Sequence, residues 1–418
     1  MALKNMKLAV VDHIGNLGGG SRFVRALLPA LKECQPDMEI VFFGNKFSIN
    51  RENMREEFSS VGINVIELKS LNLASQGVLG LPRSSSIIRR VQGKFAKQLA
   101  ILPPFLSGAV HKEIEEVVND FDIVLFPWPF LLELPSLKCP IISVFHDFNF
   151  KYFFGSKIYT EAQLSTLNRQ VPIWLEKTIP VTGTHFMGQE ISKFYDLAVD
   201  KVKVIHFAPT NIGIETNKEK AKKTIINMGI TKPYVLYPTN LLIHKNIGPL
   251  LSAIYILETK GVNIDLVITG PETEISTGRA SLIGVRKDNN QPNVIGLGYV
   301  TNEQMDALIS QSSIVVSSSL YEEQNLPGLE AWQSGIPVAM SNIPQFIEHL
   351  ELQDVRAEVF DPRSPQDIAD KIHKILSNPK EAMTNALHSQ NALKKLTWKD
   401  VARKYLQIFE EALFVRNL

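Results

Sequence analysis

Cysteine is scarce in this sequence, charge is balanced and long apolar runs are missing. The 418-residue chain has two cysteines, Cys34 and Cys139, which excludes a disulfide framework and favours a reducing compartment. Its formal net charge of +1 excludes the basic excess of a nucleic-acid-binding protein. No run approaches the ~18 apolar residues of a membrane span. The N-terminal stretch contains Asp12 and His13, so it is interpreted as a first strand rather than a signal peptide. We therefore expect a cytoplasmic protein.

Two common nucleotide-binding fingerprints are also absent. The glycine-rich stretch GNLGGGSRFVRALL (15–28) is neither a Walker loop nor G-x-G-x-x-G, which argues against a dehydrogenase. Gly18, Gly19 and Gly20 nevertheless follow the first strand, and we expect a helix to begin near Ser21. Glycines let a backbone approach a ligand, and helix N-terminal amides attract anions. An ordinary flexible turn would have the same pattern.

Short apolar runs alternate with helix-length segments along the whole chain. Examples are MKLAVVDH, EIVFFG, DIVLFPW and PIISVFHD, then YVLYPTN, DLVITG, SIVVSSS and PVAMSN. Repeated βα units of this kind predict parallel, doubly wound sheets. The length exceeds one ordinary core, so we predict an α/β protein with two Rossmann-like domains, 1–214 and 215–395, facing a central cleft. Residues 396–418 form a last amphipathic helix in this scheme.

The stretch SSSLYEEQNLPGLEAWQSGIPVAMSNIP (317–344) concentrates the unusual chemistry. Its pattern predicts a strand, a turn and a helix, and Pro327 suits the first helical turn because a missing N–H costs nothing there. Free amides around Gln324–Gly328 would then form an anion site. Glu330 lies one turn further among apolar residues, where an unpaired buried carboxylate would cost several kcal/mol. Either a hydroxyl-rich ligand binds it, or it is exposed on a surface face.

Two other positions end predicted strands. Lys245 follows YVLYPTN in a loop before a helix, which suits a phosphate ligand, although a lone lysine can equally be solvent-exposed. His146 ends PIISVFHD, where it would line the cleft and take part in acid–base chemistry, or simply pack. Asp120 and Asp122 form a D-x-D motif, but it opens a strand rather than closing one. We therefore predict no metal site.

The segments EEQNLPGLEA and GIPV together resemble the signature of retaining glycosyltransferases of the GT-B fold, family 4, also called glycosyltransferase group 1. ITGP, GLGYVTNEQMDALIS and the tail helix with Trp398 extend the resemblance, which implies that the helix of residues 396–418 crosses back onto the N-terminal domain. The matching signature positions are Glu322, Leu326, Pro327, Leu329, Glu330, Ala331, Gly335, Pro337 and Val338.

The resemblance implies a role for each matching position. Glu322 would face the donor sugar near its anomeric carbon, Lys245 would bind the diphosphate, and His146 would contact the sugar, which makes these three the expected catalytic residues. Glu330 would hold the ribose hydroxyls. The other expected nucleotide-sugar contacts are Asn240, His244, Gly18, Gly19, Gly20, Gly270, Tyr299, Val300, Glu323, Gln324, Asn325 and Leu326.

The chain departs from the family pattern at three places. Asn240 stands where the family has an arginine, so one positive charge is absent and His244 is the candidate to compensate. Glu323 and Asn325 replace two signature glycines. The region 68–104 has no family counterpart, and the overlapping segment 83–106 is basic with apolar residues at helical spacing. That segment predicts either peripheral contact with anionic lipid at the inner face of the plasma membrane or an ordinary surface helix.

The implied function is transfer of a hexose from a nucleoside diphosphate sugar to a hydroxyl, with retention at the anomeric carbon. The expected donor is UDP-glucose or a similar UDP-hexose, the expected acceptor a cell-surface polysaccharide or glycolipid, and no cofactor or metal is expected. The alternatives are a sugar-nucleotide epimerase of the same two-domain fold and a catalytically weak sugar-nucleotide-binding partner subunit. Turnover without acceptor would indicate the epimerase, and ligand binding without product would indicate the partner subunit.

Overall fold

The computed structural model describes residues 4–13, 19–50, 54–71, 104–153, 159–210, 217–270, 273 and 294–416. The chain forms two compact units. Unit 1 comprises Met1–Phe207 and Trp398–Leu418, and unit 2 comprises Ala208–Thr397. In each unit, strands and helices alternate along the chain, as the spacing of the apolar runs predicts.

Unit 1 is built on a parallel sheet with helices between its strands. Within the described residues the strand order is β3-β2-β1-β4-β5-β6-β7. The strands are β1 (Lys7–Asp12), β2 (Glu39–Gly44), β3 (Asn64–Glu67), β4 (Ile123–Phe126), β5 (Ile141–Val144), β6 (Ile179–Thr182) and β7 (Lys203–Val204). The helices are α1 (Gly19–Cys34), α2 (Lys46–Asn50), α3 (Met54–Ser60), α4 (Pro104–Val118), α5 (Asn149–Tyr152), α6 (Glu161–Lys177) and α7 (His185–Tyr195), with a short 3-10 turn at Val199–Lys201.

The first helix of unit 1 starts earlier than the sequence pattern suggests. It begins at Gly19 rather than near Ser21, so Gly19 and Gly20 form its first turn instead of a loop. Gly20 packs beside Trp128, and a Cβ built on it would lie 3.4 Å from that ring. Gly18 lies outside the described residues.

The last helix of the chain, α15 (Trp398–Arg416), belongs to unit 1. The Trp398 ring lies 6.0 Å from that of Phe23 on α1, measured between ring centroids. The same two helices are joined by an ion pair, in which the Lys399 Nζ lies 2.5 Å from Glu33 Oε1. The amphipathic pattern of the tail therefore buries its apolar stripe against α1.

Unit 2 contains a second parallel sheet. Its strand order within the described residues is β10-β9-β8-β11-β12-β13. The strands are β8 (Tyr234–Pro238), β9 (Asp265–Thr269), β10 (Val294–Gly296), β11 (Ile314–Ser317), β12 (Val338–Ser341) and β13 (Glu358–Phe360). The helices are α8 (Lys218–Asn227), α9 (Ile247–Thr259), α10 (Asn302–Gln311), α11 (Leu326–Gln333), α12 (Pro344–Gln353), α13 (Pro365–Ser377) and α14 (Pro379–Leu393), with a 3-10 turn at Ile243–Lys245.

Both faces of the unit 2 sheet are covered. Along β8, Leu236 packs into one apolar cluster, whereas Val235 and Tyr237 pack into a second cluster on the opposite face. A strand buried on both faces has an almost continuous apolar sequence, which is why these strands stand out as runs. The prediction of two doubly wound parallel sheets is confirmed.

The direction of winding reverses in the middle of the unit 2 sheet. From β8 the chain moves outward through β9 and β10, then returns to add β11 on the other side of β8. Strands β8 and β11 are direct neighbours, with Ile314 opposite Val235 and Val315 opposite Leu236. The loops that follow these two strands therefore lie side by side at the carboxyl edge, where open α/β sheets bind ligands.

The basic segment 83–106 falls almost entirely outside the described residues, apart from its last three positions at the start of α4. Among the helices that the structure describes, none is both long enough and apolar enough to cross a bilayer.

Candidate functional site

The loop after β8 presents Lys245. Asn240, which stands in place of the family arginine, is half-buried, and its Oδ1 accepts a hydrogen bond from the Leu242 amide at 3.0 Å. After the 3-10 turn, Asn246 adopts φ +55, a left-handed conformation that asparagine tolerates. Its side-chain amide donates to the Ser318 carbonyl at 3.0 Å. This bond fastens the Lys245 loop to the loop after β11.

Lys245 and Glu322 form an ion pair across the two loops. The Lys245 Nζ lies 2.5 Å from Glu322 Oε1, and the two side chains are 18% and 19% exposed. Ser319 Oγ donates to the same carboxylate oxygen at 2.6 Å. The structure therefore brings together two residues that the sequence pattern singles out separately.

Burial and charge set the protonation of this pair. Burial by itself raises the pKa of the Glu322 carboxyl, but the charge of Lys245 and the hydrogen bonds from Lys245 and Ser319 outweigh it and hold that pKa below its ordinary value. Glu322 is therefore an anion at neutral pH. Burial also lowers the pKa of His244 to about 4, so its imidazole is neutral there. His244 therefore adds no second positive charge beside Lys245 in this structure, and its contact with a nucleotide sugar stays a prediction.

Asn325 builds the N-terminus of α11. Its side-chain oxygen accepts from the Gly328 amide at 3.0 Å and from Ser317 Oγ at 2.7 Å. Its backbone amide donates to His349 Nε2 at 3.2 Å. The fit is close, because a Cβ on Gly328 would lie 2.5 Å from the Asn325 side-chain nitrogen. The Asn325 amide is thus satisfied within the protein, whereas the sequence interpretation expects it to bind ligand.

The rest of this turn is buried or half-buried. Glu323 and Gln324 are 9% and 5% exposed, and Leu326 is the half-buried first residue of α11. Glu330, one turn into the helix, is 2% exposed, and its Oε1 accepts from Thr210 Oγ1 at 2.9 Å. Of the two interpretations of Glu330, the surface-exposed one is therefore wrong.

Three further predicted residues follow β9 and β10 at the same edge of the sheet. Gly270 adopts φ +119 directly after β9, and its amide donates to the Gly298 carbonyl at 2.7 Å. Tyr299 is 48% exposed, and the half-buried Val300 precedes the Thr301 cap of α10. Parallel strands end together, so these positions share the carboxyl edge with Lys245.

His146 belongs to unit 1, where it follows β5. It is 6% exposed and packs edge-on against the rings of Phe23 and Trp128, each at 5.4 Å between centroids. The neighbouring Asp147 accepts from the Asn149 amide at 3.1 Å. These contacts are compatible with both interpretations of His146, a packed residue and a residue that contacts a ligand.

Three polar residues of the site escape prediction from sequence. Thr210 contacts Glu330, Ser319 contacts Glu322, and Tyr237 lies within 2.9 Å of Ser319 Oγ. The run of three serines at the end of β11 is the signal that could have indicated Ser319. Tyr237 lies inside an apolar strand, where a tyrosine is expected to pack rather than to hydrogen-bond.

Known proteins resemble this chain in sequence. The family model for Glycosyl transferases group 1 matches residues 218–392. An uncharacterized glycosyltransferase of Methanocaldococcus jannaschii is 23% identical over 240 residues, which cover 56% of this chain and 60% of that protein. The MMP alpha-(1->4)-mannosyltransferase of Mycolicibacterium hassiacum is 24% identical over 115 residues, 27% of this chain and 28% of the relative. The similarity thus spans less than two thirds of the length of either relative.

The fold is shared over nearly the whole chain with HepE of Anabaena, solved in complex with UDP and glucose. The TM-score is 0.68 at 14% identity, and the alignment covers 97% of this chain and 100% of that one. At this identity the likeness establishes the fold, and it agrees with the two parallel sheets described above. The sequence match lies within the unit that carries the Lys245–Glu322 pair, so residues 218–392 resemble the glycosyl transferases group 1 family, and the chain as a whole has the GT-B fold.

Proposed function

We propose that the chain transfers a hexose from a UDP-linked donor to a hydroxyl of a cell-surface polysaccharide or glycolipid, with retention at the anomeric carbon and without a metal ion. The observation that carries this proposal is the Lys245–Glu322 pair, at 2.5 Å, on the carboxyl edge of the unit 2 sheet. The pair offers one positive and one negative charge at the point where the winding of the sheet reverses.

In the proposed reaction, the bond between the anomeric carbon and the diphosphate oxygen breaks, and its electron pair leaves with UDP. The acceptor oxygen bonds to the same face of the carbon, and its proton passes to the departing phosphate oxygen. Negative charge grows on the diphosphate while positive charge grows on the sugar ring. Fixed charges aimed at these two groups are usually the largest single contribution to catalysis.

Lys245 supplies the positive charge for the diphosphate in this scheme. Its ammonium group pairs with Glu322 and is partly shielded from water, with a side chain only 18% exposed, so its field is weakly screened. The N-terminus of α11 at Leu326 adds a partial positive charge at the same edge. Glu322, an anion at neutral pH, faces the ring and stabilises the charge that develops there.

Glu330 is proposed to hold the ribose of the donor. A buried carboxylate suits a pair of vicinal hydroxyls, and Thr210 already donates to one of its oxygens at 2.9 Å. The backbone around Tyr299 and Val300 would bind the base, with Gly270 and Asn240 nearer the phosphates. The loops after β10, β9, β8 and β11 lie along one edge of the sheet, which supports their contact with one ligand.

Two relatives suggest which donors to compare. HepE was solved with UDP and glucose, and another relative is described as a mannosyltransferase. UDP-glucose and GDP-mannose are therefore the first two probes. A thermal-shift panel of nucleotide sugars should show stabilisation by one nucleotide class above the others, since binding to the folded state raises the melting temperature. The proposal would be overturned if none of the nucleotide sugars in the panel raised the melting temperature.

Lys245→Ala tests the role of the cation. Losing one preorganised charge-stabilising group should lower the transfer rate by about 10²–10³-fold. Lys232→Ala is the matched control, because Lys232 precedes β8 at the opposite edge and lies 3.9 Å from Asp265. Its rate should stay near that of the wild type. Near-normal turnover in Lys245→Ala would remove this residue from the mechanism.

Product analysis separates the remaining alternatives. NMR of the new linkage should show the anomeric configuration of the donor, and EDTA should leave the rate unchanged. Donor conversion without acceptor would indicate an epimerase, and stabilisation without product would indicate a binding subunit.

For the acceptor, we propose that residues 83–106 contact anionic lipid, so co-sedimentation should occur with anionic vesicles and not with zwitterionic ones.

A further inference from the structure

A tyrosine inside the unit 2 sheet connects both strands of the Lys245–Glu322 site. The Tyr237 hydroxyl lies 3.0 Å from the Lys245 carbonyl and 2.9 Å from Ser319 Oγ. Ser319 Oγ in turn lies 2.6 Å from Glu322 Oε1. Tyr237 is on β8 and the serine follows β11, so this chain of hydrogen bonds crosses the point where the winding reverses.

Counting hydrogens fixes the direction of the bond between Ser319 and Glu322. Glu322 is ionised and only accepts, so Ser319 must spend its single hydrogen on the carboxylate. Ser319 Oγ is then an acceptor, and the hydrogen that it accepts comes from Tyr237. The Tyr237 hydroxyl also donates to the Lys245 carbonyl at 3.0 Å, so its single hydrogen lies between this carbonyl and Ser319 Oγ and ties the serine to the Lys245 loop. Burial raises the pKa of Tyr237, so the phenol keeps this hydrogen at neutral pH.

Packing makes this chain rigid. Tyr237 is 2% exposed and Ser319 is 1% exposed. The Tyr237 ring packs with Val235, Ile314 and Val316 in one apolar cluster. A hydroxyl held in this way can fix the position of a neighbouring group with little loss of entropy on ligand binding.

We propose that Tyr237 and Ser319 are positioning residues that keep Glu322 in place while Lys245 turns to the donor diphosphate. This inference rests on the proposed transferase function. Within the described residues, the hydrogen bonds to the Glu322 carboxylate come from Lys245 and Ser319. When a diphosphate competes for the ammonium group, the bond from Ser319 remains, and Tyr237 holds Ser319.

The expected effect is a loss of turnover with donor binding preserved. Tyr237→Phe keeps the ring and removes only the hydroxyl, and Ser319→Ala removes the next link. A misplaced catalytic group costs up to about 100-fold, so each variant should lower kcat by about 10- to 100-fold and change the donor KM by less than about threefold. Because the two hydroxyls act in series, the double variant should be little slower than the slower single variant.

Tyr234→Phe is a matched control on the same strand. Tyr234 is 1% exposed, and its hydroxyl donates to the Leu308 carbonyl at 2.6 Å. The variant loses a buried hydrogen bond of the same kind, about 10 Å away along β8. It should lower the melting temperature as much as Tyr237→Phe does and leave kcat unchanged. Equal kcat values for these two variants would overturn the inference.

A crystallographic comparison tests the inference without any nucleotide or turnover. In Lys245→Ala, Glu322 should stay within hydrogen-bond distance of Ser319, because the serine alone holds it. In Lys245→Ala combined with Tyr237→Phe, the carboxylate should move away. An unmoved carboxylate in the double variant contradicts the positioning role. Failure of the transferase proposal would look different, as a wild-type protein that transfers no sugar while these carboxylate positions are as described.

Discussion

Replacing Gly270 by alanine gives the sharpest quantitative check on the geometry of the site. Gly270 adopts φ +119, a conformation that disfavours side chains, and a Cβ built there lies 1.7 Å from the Thr239 carbonyl oxygen. The Thr239 backbone cannot easily retreat, because its amide donates to the Thr269 carbonyl at 2.8 Å. Thr239 also begins the loop that carries Lys245. The substitution should therefore both destabilise unit 2 and shift this loop.

The magnitude follows from two contributions. Left-handed strain costs an alanine about 1–2 kcal/mol, and an overpacked backbone contact adds about 1–3 kcal/mol. The sum is about 2–5 kcal/mol. For a domain of about 150–250 residues, each kcal/mol lowers the melting temperature by roughly 2–4 °C. We expect Gly270→Ala to lower the unit 2 transition by about 10 °C and to weaken stabilisation by UDP.

Gly261→Ala isolates the steric contribution. Gly261 also has a positive φ of +80, but nothing lies within 4 Å of a Cβ built on it. This control should lose only the strain, about 1–2 kcal/mol. Differential scanning calorimetry of both variants gives the comparison. Equal losses for Gly270→Ala and Gly261→Ala would refute the close approach between Gly270 and Thr239.

Two further predictions concern a helix cap and a buried histidine. Asn325→Ala should lower the free energy of unfolding of unit 2 by about 1–2 kcal/mol, because the Gly328 amide loses its acceptor. The control is Asn217→Ala, which removes the exposed cap of α8 and should cost less. Equal losses by calorimetry would contradict the buried network around Asn325. Burial lowers the pKa of His13 to about 4, and its Nε2 donates to the Phe130 carbonyl at 2.7 Å. Above about pH 6.5 the His13 imidazole is neutral in both the folded and the unfolded chain. Between about pH 6.5 and 4 only the unfolded chain binds the proton. The free energy of unfolding therefore falls by up to about 1.4 kcal/mol per pH unit as the pH decreases. His13→Gln should flatten this part of the melting temperature profile, and an unchanged slope would show that other groups cause it.

The comparison between sequence and structure separates local from non-local information. The apolar runs indicate β8 and β11 correctly, because strands buried on both faces must be almost continuously apolar. Pro327 indicates the start of helix α11, since capping acts within a few residues, whereas the sequence leaves open whether Glu330 is buried. The helix expected near Ser21 begins two residues earlier, at Gly19, and the packing of Gly20 beside Trp128 joins positions far apart in the chain.

The chemistry of unit 2 depends on contacts that no local pattern contains. The satisfied amide of Asn325 depends on His349 from α12, and the chain from Tyr237 to Glu322 depends on Ser319 from the neighbouring strand. The neutral state of His244 depends on its burial. Each of these features depends on parts of the chain that are distant in sequence.

The sequence by itself thus determined the strands, a helix start next to Pro327 and the charged residues that follow strands β8 and β11. Only the tertiary structure decided that Lys245 and Glu322, 77 positions apart, would form one ion pair. The physical reason is that propensity and periodicity act over a turn or a strand. The order of strands depends instead on which apolar faces pack together, and that order places β11 beside β8.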